Sequence, residues 1–248
     1  MSAQTFKFKE FSIEQDKCAM KIGTDGVLLG AWASLSNQPE SILDIGTGTG
    51  LIALMTAQRS DALLIDAIEI EENAYEQAVE NFESSPWGDR LFCYHAGLNE
   101  FAEEMQDEEK YDLIISNPPF YAAPLAPETA EKEEKMTKAR KMARFADALP
   151  FGHLVRGVSM LLSEKGNFSV IIPFSEEENF IKLAAEVNLF PQKITRVKGT
   201  GKSPVKRSLL NFSFHKTATE ENELVLEISR HNYTEEYKDL VKPFYLKL

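Results

Sequence analysis

The chain has 248 residues, of which 43% are hydrophobic and 27% charged, and its formal net charge is −12. This length suits one large globular domain, and the acidic balance argues against a simple nucleic-acid binder. No apolar run reaches the roughly 20 residues of a membrane span, and the N-terminal stretch lacks the apolar core of a signal peptide. The two cysteines and four histidines show no disulfide or metal-ligand spacing. We therefore expect a cytoplasmic protein without a metal.

Charge is distributed unevenly along the chain. Residues 61–112 carry sixteen acidic residues against two basic ones, whereas residues 193–207 carry six basic residues and no acid. A second basic stretch spans residues 132–144. If the two basic stretches meet beside a crevice, an acidic protein gains a local anion-binding face. The alternative is that these charges are ordinary solvated surface.

The N-terminal region predicts a short strand or hairpin over residues 6–20 and a helix over the apolar run 27–32. Thr24 or Asp25 is a candidate N-cap for that helix. Because a helix N-terminus next to a lysine can hold a carboxylate, Lys21 and Thr24 are candidate ligand-binding residues. The alternative is a capped helix that packs without any ligand.

Residues 41–58 predict a strand, a glycine-dense turn and a helix, which is the arrangement of a nucleotide cradle. A second strand over residues 63–68 ends at Glu69, at the spacing where an acid reaches ribose hydroxyls. The GxGxG spacing departs from dinucleotide sites, and Asp44 before the turn suits an ammonium but disfavours a phosphate. S-adenosylmethionine has a ribose diol, an ammonium and no phosphate, so it matches these features.

The stretch Asp112–Phe120 predicts a buried strand that ends at a double-proline turn. Because prolines have no N–H to continue a ladder, the chain leaves the sheet there, where open α/β sheets bind ligands. Asn117 and the Pro118 carbonyl offer two acceptors, Pro119 stiffens the turn, and Phe120 offers a stacking face. This set suits a flat group bearing an NH2, since accepting from both N–H groups frees the nitrogen lone pair for attack. The alternative is a rigid strand exit without chemistry.

The remaining chain continues to alternate helices and strands. We predict helices at 71–83, 151–162, 176–188 and 233–240, and strands at 91–95, 168–173, 190–198, 207–215 and 223–229, the last at a sheet edge, with a turn at Gly166. The acidic segment 99–109 predicts a helix and loop. Residues 121–150 lack strand signals and are long for a connection, which is typical of a lid or binding segment. The basic loop 199–206 suits backbone phosphates.

The order of glycine cradle, ribose acid and NPPF turn resembles the class I S-adenosylmethionine-dependent methyltransferases. Further segments resemble the bacterial tRNA adenine-N6 methyltransferase family that modifies valine tRNA beside the anticodon: KIGTDGVLLGAW, DIGTGTGLIALMTAQR, AIEIEENAYEQAVEN, SPWGDR, DLIISNPPF, Ala143-Arg144 and HNYTEEYKDLVKPFYL. The resemblance implies an α/β, Rossmann-like fold with a seven-stranded, mostly parallel sheet, one antiparallel strand and helices on both faces. We expect a single domain over residues 1–248, whose residues 1–40 contribute to the cofactor site.

The predicted site residues fall into three groups. Those expected to bind S-adenosylmethionine are Lys21, Thr24, Asp44, Gly46, Gly48, Gly50, Glu69 and Gly97. Those expected to hold the target adenine are Asn117, Pro118, Pro119 and Phe120. Those expected to contact tRNA are Tyr121, Arg140, Arg144, Lys202, Lys206 and Arg207. Gly97 stands where many relatives place an acid, so a backbone carbonyl or Asn99 would have to recognise the cofactor's adenine.

The motifs and the resemblance together predict methyl transfer from S-adenosylmethionine to the N6 amine of an adenine in tRNA, without a membrane or a metal, and the resemblance implies adenine 37 of valine tRNA. Two alternatives stay open. A protein glutamine methyltransferase would use the same turn chemistry, although a tyrosine is more usual there than Phe120. A protein that binds the cofactor and RNA without turnover is the other alternative. The sequence leaves protein partners unknown.

Overall fold

The computed structural model describes residues 5–18, 20–119 and 150–247. The strands are β1 (Phe6–Lys7), β2 (Ser12–Ile13), β3 (Ser41–Ile45), β4 (Leu64–Glu69), β5 (Leu91–His95), β6 (Tyr111–Ser116), β7 (Leu162–Pro173), β8 (Phe190–Thr200), β9 (Val205–Ser213), β10 (Glu220–Ser229) and β11 (Asn232–Tyr233). The helices are α1 (Thr24–Trp32), α2 (Leu51–Arg59), α3 (Glu72–Glu83), α4 (Leu98–Glu104), α5 (Phe151–Leu161), α6 (Glu177–Glu186) and α7 (Glu235–Val241). A 3₁₀ turn, Phe174–Glu176, precedes α6.

One large sheet organises the described part of the chain. Its nine strands follow the order β11-β10-β8-β9-β7-β6-β3-β4-β5, while β1 and β2 form a separate hairpin. The strands from β5 to β7 are parallel, and β9 runs antiparallel to both β7 and β8. The predicted mixed, mostly parallel fold is confirmed, but the strand count is nine rather than seven. The two additional strands, β10 and β11, extend the sheet beyond β8.

Helices cover both faces of the sheet and bury two apolar clusters. Side chains alternate between faces along a strand, so Ile42 joins the cluster beneath α1 and α2, and Leu43 joins the cluster beneath α4 and α5. Each such fully buried side chain contributes about 1.5–3 kcal/mol to the free energy of folding. Among the described residues, every helix is too short or too polar to span a membrane.

The centre of the sheet brings the two predicted chemical turns together. β3 and β6 are neighbours, with Ile45 paired in register to Ser116. The Ser116 hydroxyl donates a hydrogen bond to the Ile45 carbonyl at 2.9 Å, which fixes the two strand ends at one level. Gly46 and Asn117, the next residues, therefore leave the sheet side by side at its carboxyl edge.

Three local predictions are wrong. The N-cap of α1 is Gly23, which has no side chain to accept a hydrogen bond, so neither Thr24 nor Asp25 caps this helix. Gly166 lies within β7, because that strand begins at Leu162 and a register shift against β6 absorbs the intervening residues. β10 is not an edge strand, since it pairs with β8 on one side and β11 on the other.

Candidate active site

A cavity of about 410 Å³ opens at the carboxyl edge of the sheet, between the ends of β3 and β6 and the start of α1. Its volume falls within the range of small-molecule sites. Residues 20–26, 46–49, 51–52 and 117–119 line it. The lining includes seven of the predicted site residues: Lys21, Thr24, Gly46, Gly48, Asn117, Pro118 and Pro119.

The glycine loop presents open backbone to this cavity. Gly46 and Gly48 have φ values of +72° and +59°, which side chains other than glycine rarely adopt. A Cβ built at either position would meet no atom within 4 Å, so space for a ligand lies beside both. The amides of Gly46 and Thr47 donate to the Ile68 carbonyl at 2.9 and 3.1 Å, which attaches the loop to the end of β4.

Two other predicted cofactor glycines are helix N-caps, Gly50 of α2 and Gly97 of α4. A Cβ at Gly50 would lie 2.5 Å from Cε1 of Phe82, so the missing side chain allows α2 to pack closely on α3. Gly97 is the N-cap of α4, and a Cβ there would lie 3.6 Å from Cδ1 of Ile70. Neither residue lines the described cavity.

Asp44 is a buried carboxyl group directly behind the glycine loop. Its Oδ2 accepts hydrogen bonds from the Thr47 hydroxyl at 2.7 Å and the Ala53 amide at 3.2 Å, while Oδ1 has no partner among the described residues. Burial raises the pKa of Asp44 to about 7, opposed by these two hydrogen bonds. An orphaned buried oxygen needs an explanation, and a cationic ligand would provide one.

Glu69 is held rigidly at the end of β4. Its Oε1 accepts from the amides of Ile70 and Glu71 at 2.9 and 3.0 Å, and its Oε2 accepts from the amide of Gly48 at 2.9 Å. Of the roughly four lone-pair sites of a carboxylate, three are therefore occupied by backbone. The free site on Oε2 can accept one hydroxyl, and a second hydroxyl requires the Gly48 amide to move.

Asn117 directly follows the last residue of β6, and its side-chain amide is available to a ligand. The side chain is partly exposed and makes no hydrogen bond within the described part of the chain. A Cβ at Gly26 would lie 3.9 Å from its Nδ2, so the amide is next to the first turn of α1. Pro118 is buried and Pro119 half-buried. The predicted residues Phe120, Tyr121, Arg140 and Arg144 lie outside the described residues.

An N-terminal strap, residues 5–18 and 20–22, runs over α3 to the cavity. Asn81 accepts from the Glu14 amide and donates to the carbonyls of Glu14 and Thr49, each at 2.9 Å. Gln77, one turn earlier, accepts from the Lys17 amide at 3.0 Å. The sequence analysis missed both amides. Their signal was available, because Gln77 and Asn81 fall at helical spacing on the buried face of α3.

Lys21 lies in the strap where it meets the cavity. Its ammonium donates to the Gln15 carbonyl, and the Gln15 side chain accepts from the Ile22 amide at 2.9 Å. A lysine ammonium has three donors, so two remain after this contact. Lys21 can therefore bind an anionic group in the cavity while it holds the strap.

Four of the six cations of the basic stretch 193–207 form ion pairs. Because β10 lies parallel to β8, its glutamates stand beside the cations of β8 and form the ion pairs Lys193–Glu220 (3.3 Å), Arg196–Glu221 (2.8 Å) and Lys198–Glu223 (2.6 Å). Arg207 Nε pairs with Asp25 Oδ2 at 2.8 Å, which ties β9 to α1. Lys202 and Lys206 are exposed and form no ion pair with the described residues.

The residues present fit S-adenosylmethionine. Open glycine backbone, an orphaned carboxylate oxygen on Asp44 and a preorganised acid at Glu69 suit a nucleoside with a cationic tail, and the two acids disfavour a phosphate. The described residues contain no group of three or more His, Cys, Asp or Glu side chains that could hold a metal.

Comparison with known sequences agrees with this chemistry. Residues 25–143 match a family model described as a methyltransferase small domain. The chain is 68% identical over 248 residues to the tRNA1(Val) (adenine(37)-N6)-methyltransferase of Christiangramia forsetii, covering all of both chains. It is 60% identical over 243 residues to the protein of that name from Flavobacterium psychrophilum, covering 98% of this chain and 100% of the relative.

Solved structures share the fold at low sequence identity. One described as a predicted O-methyltransferase from Agrobacterium tumefaciens aligns with a TM-score of 0.66 at 17% identity, covering 89% of this chain and 96% of that one. A ribosomal protein L11 methylase from Lactobacillus delbrueckii aligns with a TM-score of 0.53 at 16% identity, covering 84% and 98%. The chain therefore belongs to the tRNA1(Val) (adenine(37)-N6)-methyltransferase family and is an S-adenosylmethionine-dependent enzyme with a class I methyltransferase fold.

Proposed function

We propose that this chain methylates the N6 amine of adenine 37 in tRNA1(Val), with S-adenosylmethionine as donor. The observation that supports this most directly is that Gly46 and Asn117 leave neighbouring strands side by side and line one cavity. A cofactor cradle and a turn that can accept from an amine are thereby adjacent. The high identity to full-length relatives of that name supports the substrate. A tRNA substrate also suits a cytoplasmic location.

The donor side of the site binds and orients S-adenosylmethionine. S-adenosylmethionine, when bound, supplies a methyl group already activated by a positively charged sulfur. Asp44 offers an unpartnered carboxylate oxygen to the donor's ammonium, and Glu69 accepts from a ribose hydroxyl. Lys21 and the uncapped first turn of α1 hold the donor's carboxylate. Because these groups are fixed before binding, little reorganisation is needed at the moment of reaction.

The acceptor half activates the amine. In our proposal the side-chain oxygen of Asn117 and the Pro118 carbonyl accept from the two N6 hydrogens. This draws the nitrogen toward tetrahedral geometry and frees its lone pair, so no side-chain base has to act before attack. The two prolines restrict the backbone, which keeps both acceptors in place. Positioning of the two reactants then supplies most of the rate enhancement.

The tRNA must turn adenine 37 out of its loop to reach this turn. Phe120 and Tyr121 are proposed to stack on the base, and Arg140 and Arg144 to contact the backbone; these roles rest on the sequence. Lys202, Lys206 and Arg207 lie at the same edge of the sheet as Asn117, since β8 ends and β9 begins there. They are proposed to contact phosphates.

Incubation of the purified protein with methyl-labelled S-adenosylmethionine tests the function. The substrates are an unmodified tRNA1(Val) transcript, the same transcript with guanine at position 37, a different tRNA with adenine at position 37, and a release factor. We expect label in the first transcript only, recovered as N6-methyladenosine by nucleoside mass spectrometry. Label in the release factor would instead indicate glutamine methylation. Binding of donor and tRNA without label would indicate a protein without turnover.

A further inference from the structure

Phe174 is an exposed aromatic residue at the catalytic edge of the sheet. It follows the last residue of β7, the strand next to β6, and it is 41% exposed. Ser116 at the end of β6 pairs with Val170, so Phe174 stands a few residues further out than Asn117 and one strand across. With strands about 4.8 Å apart and about 3.3 Å per residue, the two lie roughly 10–15 Å apart, within reach of neighbouring nucleotides.

An exposed lysine follows the same end of the β7–β9 ladder as this ring. The last pair of that ladder is Pro173 with Arg207, so Phe174 and Lys206 each lie one residue beyond it. Lys206 is exposed and, like Lys202 in the adjoining turn, forms no ion pair with the described residues. An aromatic face next to an available ammonium is the combination that binds a base and its phosphate.

The ring is also supported from beneath. The Arg196 guanidinium carbon lies 6.0 Å from the centre of the Phe174 ring. Arg196 is fixed by Glu177 through Nε and Nη2, at 3.0 and 2.7 Å, and by Glu221 through Nη1 at 2.8 Å. Glu177 is buried and also accepts from the Ser208 hydroxyl. A ring held against an immobile cation loses little freedom when a base stacks on it.

Exposure alone does not distinguish Phe174, since single exposed apolar residues are normal. Phe92 provides the comparison: it is 45% exposed, but it lies near the start of β5, at the opposite edge of the sheet and in the acidic part of the chain. Its surroundings disfavour RNA. What singles out Phe174 is its position at the carboxyl edge beside an available lysine.

We propose that Phe174 stacks on a base of the tRNA loop that neighbours the target adenine, while Lys206 contacts the adjoining phosphate. The proposal rests on the proposed function, because it assigns part of the surface that receives the tRNA. It names a platform for a second base, separate from the turn that holds the base to be methylated.

Three variants test the platform: Phe174→Ala, Phe174→Trp and the matched control Phe92→Ala. Steady-state kinetics with unmodified tRNA1(Val) give KM and kcat, and calorimetry gives the Kd of S-adenosylmethionine. We expect Phe174→Ala to raise the KM for tRNA about 10-fold or more, the scale of one lost stacking contact, with the donor Kd unchanged. Phe174→Trp restores the wild-type KM, and Phe92→Ala leaves it unchanged.

A wild-type KM for Phe174→Ala, or an equal rise for Phe92→Ala, overturns the platform. A change in the donor Kd would show a general loss of structure and would also overturn it. If the wild-type protein methylates no tRNA, the proposed function has failed instead, so the two failures are distinguishable.

The phosphate contact of Lys206 has its own test. Lys206→Ala should lower the slope of log affinity for tRNA against log salt concentration by about one, and an unchanged slope contradicts the contact.

Discussion

The donor side and the acceptor side of the candidate site are built in opposite ways. On the donor side, Glu69 accepts three backbone hydrogen bonds and Asp44 accepts two, so the polar groups are fixed before any ligand arrives. On the acceptor side, Asn117 makes no hydrogen bond within the described chain, and Lys202 and Lys206 are exposed and without ion pairs there. A small, invariant cofactor suits a preformed site, whereas a large RNA suits groups that keep their hydrogen-bonding capacity for the partner.

The largest effect is expected on the acceptor side. Asn117→Ala removes the acceptor that is proposed to act on the amine in the transition state, so kcat should fall about 100-fold or more, the scale of losing one such hydrogen bond. The donor Kd should stay near the wild-type value, because no donor-binding contact is removed. Single-turnover methylation and calorimetry measure the two quantities.

Asn117→Asp is the matched control for that loss. It keeps an acceptor oxygen in the same place, so it should retain more activity than Asn117→Ala. Near-normal kcat in Asn117→Ala would remove Asn117 from the mechanism. A parallel loss of donor affinity would mean that the two sides of the cavity are not separable.

A smaller effect is expected on the donor side, where the variant should change the Kd of the donor and not kcat. Glu69→Ala removes the proposed acceptor for a ribose hydroxyl and leaves the Gly48 amide without the Glu69 carboxylate. We expect the Kd of S-adenosylmethionine to rise about 10-fold, the scale of a hydrogen bond to a charged group, with kcat at saturating donor much less affected. Glu72→Ala, an exposed change in the first turn of α3, is the control and should leave the Kd unchanged. A fall in kcat at saturation, with no change in Kd, would contradict the assignment.

Sequence patterns predicted those parts of the site that depend on neighbouring residues in the chain, namely the strand ends and the turns. Strands that end at Glu69 and just before Asn117, and a glycine turn after Asp44, follow from apolar runs bounded by glycine and proline. The family, the fold and the methyl donor predicted from those motifs are confirmed. Gly50 shows the limit: its glycine accommodates Phe82 from another helix, and nothing in the GxGxG spacing separates packing from ligand contact.

Long-range pairing could not be predicted in the same way. The basic stretch 193–207 predicts part of an anion-binding face if it meets residues 132–144 beside the crevice, and solvated surface otherwise. Three of its cations are paired with glutamates of β10, and residues 132–144 lie outside the described residues. That outcome depends on which strand lies next to β8, and strand order is set by the whole sheet. Among the described residues, the cations that remain without an ion pair are Lys202, in the turn after β8, and Lys206, in β9, which is not a neighbour of β10.

Asp44→Asn is the smallest chemical change among these variants. It separates the contribution of Asp44 to donor binding from its contribution to the stability of the protein. The folded pKa of Asp44 is about 7 against an ordinary value of 3.8. Between these values only the unfolded state gives up the proton, so the free energy of unfolding falls as pH rises and the full cost is present above pH 7. In the donor-free protein, Asp44→Asn should therefore raise Tm relative to wild type at pH 8, by an amount that shrinks toward pH 5.

The Kd of the donor should also depend on pH. A cationic donor favours ionised Asp44, so the wild-type Kd should rise as pH falls below about 7, while Asp44→Asn binds weakly at every pH. Asp66→Asn is the matched control, because Asp66 is also buried, has an unpartnered Oδ1 and has its pKa raised by burial, but lies within β4 and not directly behind the glycine loop. It should reproduce the pH-dependent gain in Tm and leave the donor Kd unchanged. If Asp44→Asn and Asp66→Asn alter the donor Kd equally, the unpartnered oxygen of Asp44 has a structural role in the sheet and does not contact the ligand.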